Sequence, residues 1–268
     1  MTEVRWTVAD QVLHAVLDGE ATMNSIDPGV LDGLDAMMDA VDDDRSLRAV
    51  VITGAGPKAF SVGMDLDFLG RCFGDPDGVF LPFLDRFHRV LRRLEQLPVP
   101  VIAQVNGLAR AGGFELILAC DLVIAAHEAR VGDIHIDFGV PPGAGSSQRA
   151  PRKLGDQRAK ALMLTPRWLD GPTMVEWGLA LATAPRADLD AEVERLLEGI
   201  RGRSRPVIAM VKRLVAAPQS VTIEEGLRLE RDLFDRFIHE VPDAAEGFTA
   251  YVQKRPAVWG DADVRAFR

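Results

Sequence analysis

The stretch Val99-Pro-Val-Ile-Ala-Gln-Val-Asn-Gly-Leu-Ala-Arg-Ala-Gly-Gly-Phe-Glu115 carries the strongest structural signal in this chain. Its first half is a short apolar run of the kind that forms a buried strand, and its second half begins a helix at paired glycines. Gly112 and Gly113 leave backbone N–H groups open to close approach, and the helix N-terminus adds positive potential there. This junction can therefore stabilise negative charge on a ligand oxygen, and Glu115 in the first helical turn can exchange a proton.

A second junction of the same kind lies earlier, in Val50-Val-Ile-Thr-Gly-Ala-Gly-Pro-Lys-Ala-Phe-Ser-Val-Gly-Met-Asp-Leu66. It is again an apolar strand, then a loop rich in small residues, then a helical segment that starts near Asp65. Two such junctions could direct two backbone N–H groups at one oxygen. Each alone also has a structural interpretation, because glycine pairs often serve close packing and a first-turn glutamate often only complements the helix dipole.

Composition describes an ordinary globular chain of 268 residues, with 47% hydrophobic and 26% charged residues. A net charge of −9 argues against a nucleic-acid surface, which needs clustered lysine and arginine. Cys72 and Cys120 are the only cysteines, which suggests reduced thiols and a cytoplasmic location. We expect no membrane partner, because there is neither a signal-peptide pattern nor a membrane-spanning apolar run. No metal-ligand spacing or phosphate-binding loop occurs either, so no metal site is expected.

Strand and helix patterns alternate through the first part of the chain. Val4–Val8 and Val12–Leu17 are predicted strands joined by a turn at Asp10-Gln11, and Asp27 is expected to cap the helix that follows it. From about residue 189 the strand signals stop and only helical patterns follow. The order of elements predicts an α/β fold with an all-helical C-terminal segment.

Taken together, the two junctions resemble the crotonase (enoyl-CoA hydratase/isomerase) superfamily. The resemblance extends from Met23-Asn-Ser-Ile-Asp27 to Glu246-Gly-Phe-Thr-Ala-Tyr-Val-Gln-Lys-Arg255. It implies a spiral of ββα turns over residues 1–200, forming an acyl-CoA-binding core, and a helical oligomerisation segment over residues 201–268. The expected assembly is a homotrimer or a dimer of trimers. The expected substrate is a coenzyme A thioester, and no separate cofactor is expected.

The resemblance also assigns chemical roles. It implies an oxyanion hole formed by the backbone N–H groups of Met64 and Gly112, which would stabilise a thioester enolate. Glu115 matches the first of two glutamates that, in hydratases of this family, hold a water molecule and move a proton. Alignment on the Pro142-Gly-Ala-Gly145 turn places His135 at the second position. Because a neutral imidazole can accept a proton near neutral pH, His135 is predicted to be the altered partner of Glu115.

The segment Asp133-Ile-His-Ile-Asp137 contains two candidates for orienting His135. In an extended conformation it would place Asp133, His135 and Asp137 on one face. A carboxylate beside the imidazole could then fix its tautomer and raise its basicity, and either aspartate could take that role. The alternative is a polar strand face on which the histidine is merely hydrogen-bonded.

Three functions follow as hypotheses. The first is hydration or isomerisation of an enoyl-CoA with Glu115 and His135. The second is hydrolysis of a CoA thioester or a β-diketone, with His135 activating water. The β-diketone hydrolases of the superfamily place a histidine here but pair it with an aspartate where this chain has Ala144. The third is an acyl-CoA-binding protein without catalytic activity.

Further residues are expected to bind the substrate. The resemblance implies that backbone at Lys58, Ala59 and Phe60 binds the nucleotide part of CoA, together with the Tyr251 and Lys254 side chains. Lysine would supply charge against a phosphate and tyrosine a flat face for the adenine, although a solvated lysine and a packed tyrosine are the alternative. The remaining expected binding residues lie beside the junctions or next to His135: Asp65, which could instead brace local structure, with Leu66, Phe68, Gly113, Phe114 and Asp137.

Overall fold

The computed structural model describes residues 1–217, 220–260 and 264. Its main sheet has the strand order β1-β2-β3-β5-β7-β9, in which β1 is antiparallel to β2 and every other neighbouring pair is parallel. A smaller parallel sheet has the order β4-β6-β8. The strands are β1 (Glu3–Ala9), β2 (Val12–Asp18), β3 (Ala49–Gly54), β4 (Ala59–Ser61), β5 (Val101–Val105), β6 (Leu108–Arg110), β7 (Leu122–Ala126), β8 (Arg130–Gly132) and β9 (Ala182–Ala184).

Helices connect these strands and then form the whole C-terminal part. Those of the first part are α1 (Pro28–Asp43), α2 (Leu66–Gly74), α3 (Leu81–Glu95), α4 (Gly112–Ala119), α5 (Ser146–Leu154), α6 (Asp156–Leu164), α7 (Gly171–Trp177) and α8 (Leu189–Ile200). The C-terminal helices are α9 (Arg205–Ala216), α10 (Ile223–Glu240) and α11 (Asp243–Gln253). The predicted α/β architecture with a helical C-terminal part is confirmed.

Along the chain, strands of the main sheet alternate with strands of the smaller sheet. A strand of the main sheet is followed by a short strand of the second sheet and then by a helix, as in β3, β4 and α2 and again in β5, β6 and α4. Parallel strands place their carboxyl ends at one edge, so the loops after β4 and β6 meet there. The fold thereby brings the two glycine-containing junctions together.

Local sequence signals account for several element boundaries. The Asp27 side chain accepts a hydrogen bond from the Val30 N–H at 3.1 Å, and Pro28 occupies the first helical position of α1. Asp65 caps α2 in the same way, by accepting from the Phe68 N–H at 3.0 Å. Both caps satisfy N–H groups that have no partner inside the helix.

The C-terminal helices enclose a small hydrophobic cluster of their own. Buried residues of this cluster are Ala209, Met210, Leu233, Val241 and Val264, whereas the main core reaches only as far as Leu197. Hydrogen bonds tie the two parts together, including those from the Arg205 guanidinium to the carbonyls of Asp44 and Val41. None of the described helices combines the length and the apolarity required to cross a bilayer.

The extended conformation considered for the His135 segment is not observed. The segment Asp133–Asp137 is not extended, because Ile134 adopts a left-handed conformation with φ of 57° and His135–Phe138 forms a 3-10 turn. Asp133 therefore stays beside His135, while Asp137 is exposed on the far side of the turn. Between α2 and α3, Pro76–Phe80 forms a single π-helical turn capped by Asp75.

Candidate functional site

A cavity of about 500 Å³ lies where the two junctions meet. Its walls come from the loop after β4, helices α2 and α3, the start of α4 and the segment that precedes α5. Most of its lining is apolar, and its polar side chains are those of Arg110, Glu115 and His135. The lining residues are Ile26, Val62, Met64, Leu66, Leu69, Phe73, Phe80, Phe83, Leu84, Phe87, Arg110, Ala111, Gly112, Glu115, His135, Phe138, Val140, Pro141, Pro142, Gly143 and Ala144. Such a cavity suits an apolar group carrying a reactive polar end.

The two glycine junctions are in direct contact at the wall of this cavity. A Cβ atom built on Gly63, whose φ is +83°, would lie 2.7 Å from the backbone nitrogen of Gly112. On the other side of the loop, the Gly63 carbonyl accepts from the Ile26 N–H at 2.8 Å and the Asp65 N–H donates to the Ile26 carbonyl at 2.9 Å. These bonds hold Met64, whose own N–H donates to none of the described groups.

The start of α4 is held under backbone strain. Ala111 precedes the helix with φ of 48° and ψ of −120°, a region that residues with a Cβ rarely adopt. Its N–H donates to the Asp133 carbonyl at 3.0 Å. Gly113 packs so tightly on β4 that an added Cβ would lie 2.1 Å from the Ser61 carbonyl oxygen. As a result, the Gly112 N–H stands at a helix N-terminus, where it has no acceptor within the helix.

Glu115 is buried, with 2% of its surface exposed, and its carboxylate faces the cavity. Oε1 accepts hydrogen bonds from the Ala144 N–H at 2.7 Å and from the Ser146 N–H at 3.1 Å. Burial raises the pKa of Glu115, while the charge of His135 and the two N–H donors oppose that shift. Glu115 can therefore hold a proton at a higher pH than an ordinary carboxyl group.

His135 is positioned by a buried carboxylate. Its Nδ1 lies 3.0 Å from Asp133 Oδ1, and the Ser146 hydroxyl donates to Asp133 Oδ2 at 2.6 Å. Burial by itself would lower the pKa of His135, but the hydrogen bond and charge of Asp133 and the charge of Glu115 outweigh it, so that the pKa is raised. The open question of which aspartate orients the imidazole is answered in favour of Asp133.

The structure brings some of the expected residues together and separates others. Met64, Leu66, Gly112, Glu115 and His135 line the cavity. Ala59, Phe60, Phe68 and Phe114 are buried in the protein interior, and Gly113 packs on β4 behind the cavity wall. Asp65 caps α2 and also accepts a hydrogen bond from the Ser25 hydroxyl. The other expected binding residues are exposed: Lys58, Asp137, Tyr251 and Lys254.

Two residues at the site were missed by sequence reasoning. Arg110 lines the cavity with its guanidinium 5.5 Å from the Phe138 ring centre, and it is the only lysine or arginine among the described lining residues. Its place directly before the Ala111-Gly112 turn was the available signal. Ser146 is fully buried behind the cavity, and no pattern in the sequence distinguishes it from its exposed neighbour Ser147.

A second cavity, of about 610 Å³, lies between the end of α4, α5 and α9. It contains none of the expected site residues. Charged groups at its edge are paired with each other, as in Lys212–Asp121 at 2.7 Å and Arg149–Glu95 at 2.6 Å. Within the described residues, no group of histidine, cysteine and acidic side chains could hold a metal ion.

Comparison with known proteins shows extensive similarity. The family model described as enoyl-CoA hydratase/isomerase matches residues 8–262. The chain is 35% identical to a probable enoyl-CoA hydratase of Rhizobium meliloti, covering 90% of this chain and 91% of that protein. It is 30% identical to crotonyl-CoA hydratase of Syntrophomonas wolfei, covering 88% and 89%. The crystal structure of a Bacillus anthracis enoyl-CoA hydratase superposes with a TM-score of 0.90 at 31% identity, covering 97% and 100%.

Proposed function

Because this chain belongs to the enoyl-CoA hydratase/isomerase family, we propose that it adds water to an enoyl-CoA thioester, or shifts its double bond, through an enolate. The observation that carries the proposal is the shared cavity of Glu115 and His135, with Gly112 and Met64 in its wall. Two groups able to move protons thus lie beside two main-chain segments that can stabilise an oxyanion. The acyl chain would occupy the apolar part of the cavity.

In this proposal the N–H groups of Met64 and Gly112 bind the thioester oxygen. The contact of Gly63 with Gly112 supports the assignment, because it holds the two segments against each other before substrate arrives. Backbone donors that are already in place need little reorganisation when charge develops on the oxygen. Gly112 adds the positive end of the α4 dipole.

Glu115 and His135 transfer different protons: His135 accepts one from water, and Glu115 donates one to the α-carbon. With the Asp133 carboxylate as acceptor, the imidazole donates from Nδ1 and keeps Nε2 free as a base. His135 Nε2 takes a proton from water as the water oxygen bonds to the β-carbon, and the π electrons move onto the thioester oxygen. Glu115 then protonates the α-carbon as the enolate collapses. Proton exchange with solvent returns both groups to their starting states.

Substrate binding outside the cavity is assigned to the expected residues. Lys58 lies on the loop that leads into β4, and its exposed side chain is available to the nucleotide part of CoA. Tyr251 and Lys254 are exposed at the end of α11, where they could contact CoA bound to this chain or to a second copy. Backbone at Ala59 and Phe60 completes the expected CoA site. No cofactor besides the thioester is invoked.

We also propose a homotrimer or a dimer of trimers, located in the cytoplasm. The C-terminal helices leave large apolar side chains exposed, among them Phe234, Phe248 and Val252. Large apolar side chains that are exposed in a single chain are typical of a surface that a partner covers. The two cysteines are free and buried, as expected for a reducing compartment.

The test is a kinetic comparison of wild type, Glu115→Gln and His135→Gln with crotonyl-CoA and longer enoyl-CoA thioesters. Loss of the conjugated enoyl absorbance reports turnover, and mass spectrometry identifies a hydrated or isomerised product. Removing either proton-transfer group should reduce kcat by about a hundredfold or more. The matched control is Glu176→Gln, which removes an exposed carboxylate on α7 and should behave as wild type. Full turnover in Glu115→Gln would refute the assigned role.

Hydrolysis is the second candidate, and the Asp133–His135 pair favours it. An imidazole oriented by a buried carboxylate can direct water at a carbonyl carbon as well as at an alkene. Release of free CoA, or a ring-opened acid from a β-diketone, would identify this reaction. Binding of several thioesters without turnover of any would instead identify an acyl-CoA-binding protein.

A further inference from the structure

Ser146 contacts one proton-transfer group, Glu115, and the carboxylate that holds the other, His135. Its hydroxyl donates to Asp133 Oδ2 at 2.6 Å, and its backbone N–H donates to Glu115 Oε1 at 3.1 Å. The residue is 0% exposed, so both contacts lie away from solvent. We infer that Ser146 is a positioning residue that fixes the proton acceptor through its side chain and the proton donor through its main chain. This inference deepens the proposed function and depends on it for its catalytic consequence.

The hydrogen bond from the Ser146 hydroxyl to Asp133 sets the tautomer of His135. Asp133 is completely buried, and a buried carboxylate needs hydrogen-bond donors to remain ionised. Ser146 supplies one donor to Oδ2, which leaves Oδ1 to accept from His135 Nδ1 at 3.0 Å. With the Nδ1 proton held in this bond, the lone pair of Nε2 is the one available in the cavity.

The hydrogen bond from the Ser146 backbone N–H sets the position of the Glu115 carboxylate. Ser146 is the first residue of α5, so its N–H has no acceptor within that helix. Glu115 fills this role together with its bond to the Ala144 N–H at 2.7 Å. Arg149 steadies the same turn by donating to the Ala144 carbonyl at 2.9 Å and to Glu95 at 2.6 Å. Both known hydrogen bonds to Glu115 fall on Oε1, which leaves Oε2 for the proton transfer.

The order of contacts excludes a nucleophilic role for this serine. In a hydrolytic triad the histidine lies between the serine and the carboxylate and takes the hydroxyl proton. Here Asp133 lies between Ser146 and His135, so the hydroxyl proton points at the carboxylate. Ser146 is also absent from the described lining of the cavity. It acts through Asp133 and forms no covalent intermediate.

Among the described residues, the charged groups around His135 include Asp137, which is exposed on the same 3-10 turn. Asp133 and Glu115 act on His135 directly, and Arg110 lines the same cavity. Helix α6 packs against the 3-10 turn, but its charges are engaged elsewhere. Lys160 pairs with Asp156 at 2.8 Å, and the Arg158 guanidinium lies over the Trp177 ring. A change at Ser146 should therefore reach His135 through Asp133.

The test is Ser146→Ala, which removes the hydroxyl and retains the N–H bond to Glu115. Its matched control is Ser147→Ala at the adjacent, exposed position. A buried carboxylate that loses a hydrogen-bond donor is less able to remain ionised, so Asp133 should stabilise the imidazolium of His135 less in this variant. The low-pH limb of the kcat profile should therefore move to lower pH. We expect kcat to fall about tenfold, a part of what a general base supplies, with KM within about twofold. Ser147→Ala should match wild type.

A readout that needs no turnover separates this inference from the proposed function. ¹⁵N NMR of His135 in the substrate-free enzyme should show an Nδ1-protonated tautomer in wild type and a mixture in Ser146→Ala. Ser146→Cys, with a weaker donor of similar size, should be intermediate. In an Asp133→Asn background, further loss of the Ser146 hydroxyl should have no added effect on the tautomer.

Unchanged tautomer and pH limb in both Ser146 variants would overturn the inference, whatever reaction the enzyme performs. An added effect of Ser146→Ala in the Asp133→Asn background would also overturn it, because Ser146 would then act by another route. If Glu115→Gln retains full turnover while the tautomer shifts as expected, the proposed function fails and the positioning role stands.

Discussion

Gly63 contacts Gly112 so closely that Gly63 has no room for an ordinary side chain, and the fit at Gly112 is tight. A Cβ atom on Gly63 would lie 2.7 Å from the Gly112 nitrogen, and one on Gly112 would lie 3.3 Å from the Gly63 Cα. Real Cβ atoms do not approach a backbone nitrogen to the first of these distances. The contact therefore sets the separation of the two junctions, and with it the geometry proposed for the Met64 and Gly112 N–H groups.

Gly63→Ala should damage the site. The substitution forces a side chain onto a φ of +83° and into the Gly112 backbone, which we expect to cost about 1–3 kcal/mol or more of stability. If the proposed oxyanion site is correct, kcat should also fall by about a hundredfold. Gly70→Ala is the control, because a Cβ there meets nothing within 4 Å and alanine favours the α2 helix. Urea unfolding and turnover assays measure both effects, and equal behaviour of the two variants would contradict the prediction.

Ala111→Gly should stabilise the protein. Ala111 has φ of 48° and ψ of −120°, and relief of this strain should exceed the added entropy of an unfolded glycine, with a net gain of about 1 kcal/mol. Ala191→Gly, in the regular helix α8, should instead lose about 0.5–1 kcal/mol. The urea midpoint of unfolding should rise in Ala111→Gly and fall in Ala191→Gly. A loss in both variants would mean that Ala111 is not strained.

Glu115→Gln should raise stability at neutral pH while it removes activity. Because burial raises the pKa of Glu115, folding favours the protonated form. The stabilising contribution of the wild-type carboxyl is full below its ordinary pKa of 4.5 and is lost as the pH rises through the raised value. Glutamine retains an oxygen for the two N–H donors and carries no charge.

The melting temperature of Glu115→Gln should therefore exceed that of wild type at pH 8, by about 2–4 °C for each kcal/mol gained. The difference should shrink toward pH 4. Glu176→Gln should track wild type at every pH. A difference that grows on acidification would show the wrong sign for a raised pKa.

Phe248→Asp should weaken the proposed oligomer. Phe248 on α11 is 73% exposed in a single chain, so a charge there should perturb an interface far more than it perturbs the fold. Sedimentation should show a smaller assembly, while circular dichroism should show retained helix. Val8→Asp, an exposed apolar site on β1, is the control and should leave the mass unchanged. Identical masses for both variants would exclude α11 from the interface.

Local sequence signals predicted much of the fold because their physical causes are local. The Asp10-Gln11 turn joins β1 to β2 with positive φ at both residues, and Asp27 caps α1 as expected. Helices α9 and α10 lie in the part of the chain beyond residue 189, where only helical patterns were expected. Strand alternation, helix caps and proline positions act over a few residues, so one sequence suffices to identify them.

The region around His135 could not be predicted in this way. Alternation in Asp133–Asp137 was compatible with an extended segment, but β8 ends at Gly132 and the Asp133 carbonyl accepts from the Ala111 N–H. That distant contact accompanies a left-handed Ile134, which no local propensity favours. Two aromatic residues expected to bind substrate, Phe68 and Phe114, are buried outside the cavity lining for a related reason. Phe68 and Phe114 are as apolar as the lining residues, and only packing decides which of them face the cavity.

From the sequence alone came the order of strands and helices and the two glycine junctions with Glu115, since residue type and spacing are properties of the chain. The family resemblance carried by those motifs indicated His135. The tertiary structure decided that the junctions touch, that Asp133 rather than Asp137 holds the imidazole, and that Ser146 links both proton-transfer groups. These are distances between segments far apart in sequence, and packing of the complete core determines them.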